Sequence, residues 1–336
     1  MLIGTDPARP ASFEDLIGPA LAARIDRLDV FSRKLLAGKM PGERRSKRRG
    51  RSVEFDDFRP YTPGDDPRHL DWNIFARLDR LVVKLFREDE DLALHLVIDA
   101  SPSMDSGSPS KRVFATRLAM ALGYIALVNQ NRLSVALFGG ADAPTGVKQL
   151  APLRGKTSVR TLAAFLLESL LPAAASSDKP APRTNDPAEF EEMMRRVAAS
   201  RPGRGIMLVL SDFLVAWPAE NRGDRGPARA LNLIAGGDGG AFDAYALQVL
   251  SPAELDPARE ASLRGDLRLT DVETGAPAEV TLTPETLEEY RGVIARHNRR
   301  LRDECLARGI AYFQVRSDEA VEDLVMGSLR KGGLLR

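Results

Sequence analysis

The stretch Leu92-Ala-Leu-His-Leu-Val-Ile98 is almost wholly apolar and closes on an acid, Asp99. A strand with one face in water alternates apolar and polar residues, whereas one without a polar face is covered on both sides. A second run of this kind, Ile206-Met-Leu-Val-Leu-Ser211, leads into Asp212. Phe242 to Leu250 and Ile310 to Val315 read as further strands. Helices are predicted over about 111–129, 158–171, 186–201, 227–235, 284–308 and 318–331, the third opened by the cap and first-turn signals of Asp186-Pro187-Ala-Glu189. Strands alternating with helices imply a doubly wound α/β fold with a mostly parallel sheet. Leu133–Phe138 and Val147–Pro152, joined by a Gly-rich turn, add one antiparallel edge strand. Residues 265–283 read as an inserted hairpin turning at Thr274-Gly275, and Leu81–Phe86 as a strand pairing with 92–98.

Ahead of this domain, 81–336, residues 1–80 are expected to form an N-terminal extension packed on it. It has an amphipathic helical lead-in carrying Leu16, Ile17, Leu21, Ile25, Leu28 and Phe31 at helical spacing. A basic run over 43–51 follows, then a turn-rich, aromatic stretch to Leu70. Residues 173–185, rich in Ala, Ser and Pro, read as a surface loop. The amino terminus lacks the pattern of a signal peptide, and no apolar run approaches the ~20 residues of a membrane helix. A single cysteine, Cys305, rules out an internal disulfide and suits a reducing compartment, so a cytoplasmic location is expected.

Doubly wound sheets place their sites at the carboxyl ends of strands. There the first core strand runs into Asp99-Ala-Ser101-Pro-Ser103, whose alternating oxygens can turn to one side of an extended loop. Were the two core strands neighbours, Asp99 and Asp212 would face each other. At about 5 Å and an effective dielectric near 20, their repulsion would be about 3 kcal/mol. Either one carboxyl stays protonated or a cation sits between them. Carboxylates with hydroxyls are hard oxygen ligands, which suit Mg²⁺, with Ca²⁺ or Mn²⁺ as alternatives. The other reading of Asp99 and Ser101 is a cap on the following helix.

The Asp99-x-Ser101-x-Ser103 loop and the later strand-end Asp212 resemble the metal-ion-dependent adhesion site of von Willebrand factor A domains, and the element order from residue 81 onward is similar to that fold. The resemblance implies that Ser101, Ser103, Asp99 and Asp212 hold the metal and that a partner's carboxylate completes its shell. It also implies a third-loop threonine, assigned to Thr157 in Gly155-Lys-Thr157-Ser, although this departs from the family's Gly-Gly-Thr and also reads as a helix cap. The later Asp usually precedes Gly, where this chain has Phe213. Upstream, Arg48-Arg49-Gly-Arg51-Ser-Val-Glu-Phe55, Arg59-Pro-Tyr-Thr-Pro-Gly-Asp65-Asp66 and Arg68-His-Leu-Asp-Trp72 resemble the signature of bacterial "domain of unknown function 58" (DUF58) proteins, as does Asp271-Val-Glu-Thr-Gly275. That resemblance implies a partner, an AAA+ ATPase of the MoxR type, and a role in maturing or remodelling a further client protein.

Two readings of the upstream signature stand side by side. Asp65, Asp66 and Asp71 could pair with Arg59, Arg68 and Arg77 as a structural clamp. Alternatively, Arg48, Arg49, Arg51, Arg59, Asp65, Asp66 and Arg68 could form a partner-binding surface. A nucleic-acid role for the basic run is disfavoured by a formal net charge of only +1 and by the lack of interleaved aromatics. A metal-dependent phosphohydrolase would want a second acid where Ser101 stands, and no nucleophile with an adjacent base is evident. The expectation is therefore a non-enzymatic, metal-dependent interaction module.

Overall fold

The computed structural model describes residues 9–32, 53–88, 92–140, 146–171, 185–200, 205–217, 226–236, 242–259, 265–271 and 276–336. The chain divides into two compact units, one of residues 1–38 with 92–336 and the other of 39–91.

The larger unit opens with two short helices, α1 (Phe13–Leu16) and α2 (Pro19–Ile25), separated at Gly18-Pro19. The smaller unit holds β1 (Val53–Pro60), α3 (Trp72–Leu78) and β2 (Val82–Glu88). The main sheet then begins with β3 (Ala93–Asp99), followed by α4 (Lys111–Val128), β4 (Arg132–Phe138) and β5 (Val147–Leu153). Next come α5 (Val159–Leu170), α6 (Pro187–Ala199), β6 (Gly205–Ser211), α7 (Pro227–Ala235), β7 (Phe242–Leu250) and the short α8 (Pro252–Leu255). A hairpin of β8 (Gly265–Thr270) and β9 (Pro277–Leu282) leads into the long α9 (Pro284–Ala307) and β10 (Ala311–Arg316). A helical stretch over 321–329 closes the chain.

The six strands of the sheet lie in the order β10-β7-β6-β3-β4-β5, parallel throughout except for β5, which runs antiparallel to β4 at the edge. The mostly parallel α/β architecture, the antiparallel edge and the inserted hairpin all match the sequence expectation. All seven residues of β3 and of β6 are buried, as their lack of a polar face requires. Leu94, Leu96 and Ile98 enter a core with α4 and α5, while Val97, Met207 and Val209 enter a second core with α6, α7 and the end of α9. Among the described residues no helix is long and apolar enough to cross a membrane.

Two expectations are corrected. Residues 81–86 do not pair with 92–98. β3 is taken on one side by β4 and on the other by β6 in full parallel register, which leaves it no free edge, and β2 pairs instead with β1. The division at 80/81 also fails. The lead-in helices belong to the larger unit, where Leu16, Ile17, Ile25 and Leu28 are buried against α4. Tyr124 donates to Asp26 (3.1 Å), Asn129 donates to the Leu28 carbonyl (2.7 Å), and Val30 bridges to Leu335. This cover is why α4 has almost no polar face. The surface loop expected at 173–185 falls largely outside the described residues, as do the basic run at 44–51 and the Thr274-Gly275 turn.

β6 starts on glycine for a steric reason. A Cβ on Gly205 would sit 2.1 Å from the carbonyl oxygen of Ala93 on β3, which is backbone and cannot swing aside. Gly205→Ala should therefore cost about 1–3 kcal/mol by forcing the central strand pair apart, read as a lowered unfolding midpoint in denaturant.

Candidate metal centre

β3 and β6 are neighbours with Ile98 opposite Leu210, so Asp99 comes level with Ser211, and Asp212 follows one residue on. All three are buried. One Asp99 oxygen accepts the Ser101 backbone N–H (2.9 Å) and the other accepts the Ser211 hydroxyl (2.6 Å). Burial, and then the charge of Asp212, pushes the Asp99 carboxyl up to about 7. The carboxylate form thus lacks a positive neighbour strong enough to offset its burial.

The loop after Asp99 is held from below. The Met104 side chain is fully buried, and Arg112 donates to the Ser101 carbonyl (2.7 Å) while pairing with Asp105 (3.0 Å). This leaves the hydroxyl oxygens of buried Ser101 and half-buried Ser103 3.0 Å apart. Magnesium binds oxygens at about 2.1 Å in octahedral geometry, so ligands at adjacent corners are about 3.0 Å apart. The serine hydroxyls, which hydrogen-bond each other, thus have the spacing that two adjacent ligands of a small hard cation would take, with the Asp99 carboxyl two residues before Ser101. Among the described residues no three His, Cys, Asp or Glu side chains gather into a metal-holding group, so any cation here would depend on hydroxyls.

Asp212 is engaged differently. The ammonium of Lys111, fully buried on the first turn of α4, donates to Asp212 (2.9 Å) and to Glu254 (2.5 Å). Burial alone would lower the lysine pKa, but the two carboxylates outweigh it and raise it, so Lys111 stays charged. Glu254 is itself fixed by a capping box with Ser251 at the start of α8. The cation demanded by Asp212 is thus supplied by the chain.

Thr157 does not join the cluster. Because β5 runs backwards along β4, from Val147 opposite Phe138 to Leu153 opposite Leu133, the chain that follows it emerges at the amino edge of the parallel strands. Thr157 lies there, exposed, a whole strand away from Asp99, which is about 20 Å for a strand of this length. Asn185, just ahead of α6, accepts the backbone N–H of Ala216 (3.2 Å), four residues beyond Asp212.

After Asp212 the backbone turns through a left-handed residue. Phe213 has φ +51°, the left-handed region that favours Gly. Its ring is buried edge-to-face on Phe190, its N–H donates to the Ser211 hydroxyl (3.0 Å), and its carbonyl is held by the His297 ring at 2.8 Å.

Lys111, Arg112, Ser211 and Glu254 were not singled out from the sequence. One signal was there: cations on the first turn of a helix oppose the helix dipole, so Lys111-Arg112 directly after the cap Ser110 marks a place where something else compensates. The Ser134 hydroxyl bonds His95 Nδ1 (2.8 Å), and Cys305 is buried with its thiol pushed up to about 12, chiefly by burial.

In the smaller unit, Arg59 grips Asp65 through two bonds (2.8 and 2.6 Å), and Asp65 also accepts the Thr62 N–H across the Pro63-Gly64 turn (3.0 Å). Asp71 pairs with Lys84 (3.0 Å) rather than with Arg77, and it caps α3. Asp66 accepts the backbone N–H of Arg68 (3.0 Å) and does not pair with its guanidinium. Asp65 and Asp71 are buried, so the clamp reading fits these residues better than an open binding surface. Arg48, Arg49 and Arg51 lie outside the described residues.

Residues 57–300 match the family described as "Protein of unknown function DUF58". The chain belongs to that family. It is 27% identical over 327 residues to the uncharacterized proteins Rv1480 of Mycobacterium tuberculosis (strain H37Rv) and Mb1516 of Mycobacterium bovis, covering 95% of this chain and 93% of each relative. Among solved structures, the pilus adhesin SpaC from Lactobacillus rhamnosus GG in its open conformation aligns at a TM-score of 0.38 and 10% identity. That alignment covers 74% of this chain, and the chain spans about a third of the adhesin, 31%.

Two predictions follow from these contacts. Lys111→Met leaves the buried Asp212 and the half-buried Glu254 without their cation and should destabilise by about 3–5 kcal/mol, with Lys111→Arg losing less, both measured by calorimetry. The Arg59 bonds, and next the Thr62 N–H, hold the Asp65 carboxyl well below its ordinary value of 3.8. A depressed acid contributes stability above its unfolded pKa that is lost as pH falls through the folded one. Carboxyl NMR should therefore show Asp65 titrating far below pH 3.8 in the wild type and returning toward 3.8 in Arg59→Ala.

Proposed function

We propose that this DUF58 protein is a non-enzymatic interaction module with a von Willebrand factor A-like domain, and that its Asp99–Ser103 loop presents a divalent cation, Mg²⁺ by preference, to an acidic group on a partner. The observation that carries this reading is the pairing of a buried carboxyl, Asp99, with two serine hydroxyls at the separation of adjacent octahedral ligands. Asp99, Ser101 and Ser103 would hold the ion. When bound, it supplies a Lewis-acidic point charge at the half-buried lip of the loop, where Ser103 meets solvent.

The chain's own residues do the positioning. Arg112 fixes the loop carbonyls, Ser211 orients Asp99, and Lys111 neutralises Asp212. Thr157 has no part in this scheme. The partner and its task are carried over from the family resemblance: an AAA+ ATPase of the MoxR type, for which this chain acts as an adaptor or co-chaperone in remodelling a client in the cytoplasm.

Mg²⁺ at about a hundredfold excess over its dissociation constant should stabilise the wild type by about 2.7 kcal/mol. Asp99→Ala should lose both that effect, in a thermal-shift titration against chelator, and capture of the ATPase in a pull-down. An Asp99→Ala protein that still binds the ATPase as the wild type does would sink the metal-bridge mechanism.

A further inference from the structure

The two edges of the main sheet are built differently. β5, at one edge, carries Lys148 and Pro152 and pairs irregularly with β4 near Val135, which are ordinary devices for keeping an edge from accepting another strand. β10, at the other edge, pairs among the described residues only with β7 and reads Ala311-Tyr-Phe-Gln-Val315, with neither charge nor proline before Arg316. Half of an edge strand's backbone donors and acceptors point away from its single neighbour.

That open edge lies in a groove of about 790 Å³. Tyr312, Phe313, Gln314 and Val315 all line it. Successive residues of a strand point to opposite faces, so a groove touching four in a row runs along the strand's edge rather than over one face. One wall is α9 and the other is the last helical stretch, at Leu324 and Ser328. The α9 wall bears two exposed guanidinium groups, Arg299 and Arg302, and among the described residues neither is in an ion pair. Arg291, further along, is tied to Asp256 (2.9 Å). The acid on the walls is Glu319 at the end of the strand. Leu306, 57% exposed, and Ile294 give the same wall an apolar component.

We infer that the β10 edge is a docking site for an extended acidic peptide of a partner protein, which adds as a seventh strand with its backbone on β10, its acids on Arg299 and Arg302, and its apolar side chains against Ile294 and Leu306. The charge of the wall selects the sign of the ligand, and the unpaired edge selects its extended form. An anion alone would use the arginines and leave the strand idle. An apolar helix would leave both the backbone groups and the arginines unmet. The β10 strand is six residues long, so it matches a peptide segment of about that length.

The test uses the full chain in the presence of chelator, which keeps its outcome separate from that of the metal reading. The probes are end-capped, fluorescently labelled hexapeptides whose alternate positions on one face mix glutamate with valine, isoleucine, phenylalanine or tyrosine and whose other positions carry threonine, read by fluorescence polarisation. At least one should bind saturably and more weakly as salt rises. Arg299→Glu with Arg302→Glu should weaken it at least roughly tenfold, while Arg296→Glu, on α9 but outside the groove, should leave it unchanged. N-methylation of alternate peptide amides should abolish binding, and bound peptide should slow hydrogen exchange over 311–316. Failure of every hexapeptide to bind, equal binding by the double reversal, or equal binding of the N-methylated peptide would each overturn the proposal.

Discussion

The ammonium of Lys111 between Asp212 and Glu254 is the contact on which the carboxyl edge of the sheet depends. Taking a lysine out of water costs several kcal/mol, and placing it on the first turn of α4 adds an unfavourable interaction with the helix dipole. Two carboxylates at 2.9 and 2.5 Å offset both terms. In doing so they bind together three parts of the chain far apart in sequence: the start of α4, the end of β6 and the turn into α8. Removing the cation would leave two acids in a space shaped for three charges. This is why the pair is better understood as a fixture of the fold than as an accessory to a ligand.

The backbone around Asp212 follows from the same demand. A left-handed phenylalanine costs on the order of 1–2 kcal/mol relative to glycine. Phe213 nevertheless occupies that position, because its ring fills the second core against Phe190 and its amide groups are met by Ser211 and His297. Behind it, buried Gln248 donates to the Asp212 carbonyl (2.9 Å) and to Asn298 (3.0 Å), while accepting from Tyr312 (2.5 Å). The carboxylate direction is therefore set by a connected layer that runs from β6 through β7 to α9 and β10.

Much of this was legible in the chain. An apolar run without a polar face announces a central strand, and an acid closing such a run sits at its carboxyl end, which locates Asp99 and Asp212 from the sequence alone. Thr157 was misplaced although the means to place it were present. The strand–strand step at 133–152 already implied a reversal, and a reversal sends the following residues to the opposite edge. The smaller unit was harder to see. β2 looks like a partner for β3 when only adjacency in sequence is considered, and only the saturation of β3 by β4 and β6 shows that it must pair elsewhere. Lys111 was invisible for a related reason. A lysine after a cap reads as solvent-exposed, and the two acids that make its burial tolerable lie about 100 and 140 residues downstream.

The presence of a built-in cation sharpens what a mobile one could do. Asp99, Asp105, Asp212 and Glu254 set four potential negative charges against Lys111 and Arg112, and the raised pKa of Asp99, caused first by burial and then by Asp212, marks it as a carboxyl that the chain's own cations do not compensate. On the metal reading, the ion meets one carboxylate and two neutral hydroxyls instead of a ring of acids. A divalent ion so coordinated keeps a net positive charge, which disposes it to accept another anionic oxygen from outside. A site lined with three carboxylates would hold the ion more tightly and quench that charge. If the loop holds a divalent ion as proposed, serines at 101 and 103, together with an Asp212 already satisfied by lysine, would suit capture of an acidic partner better than permanent storage of a metal.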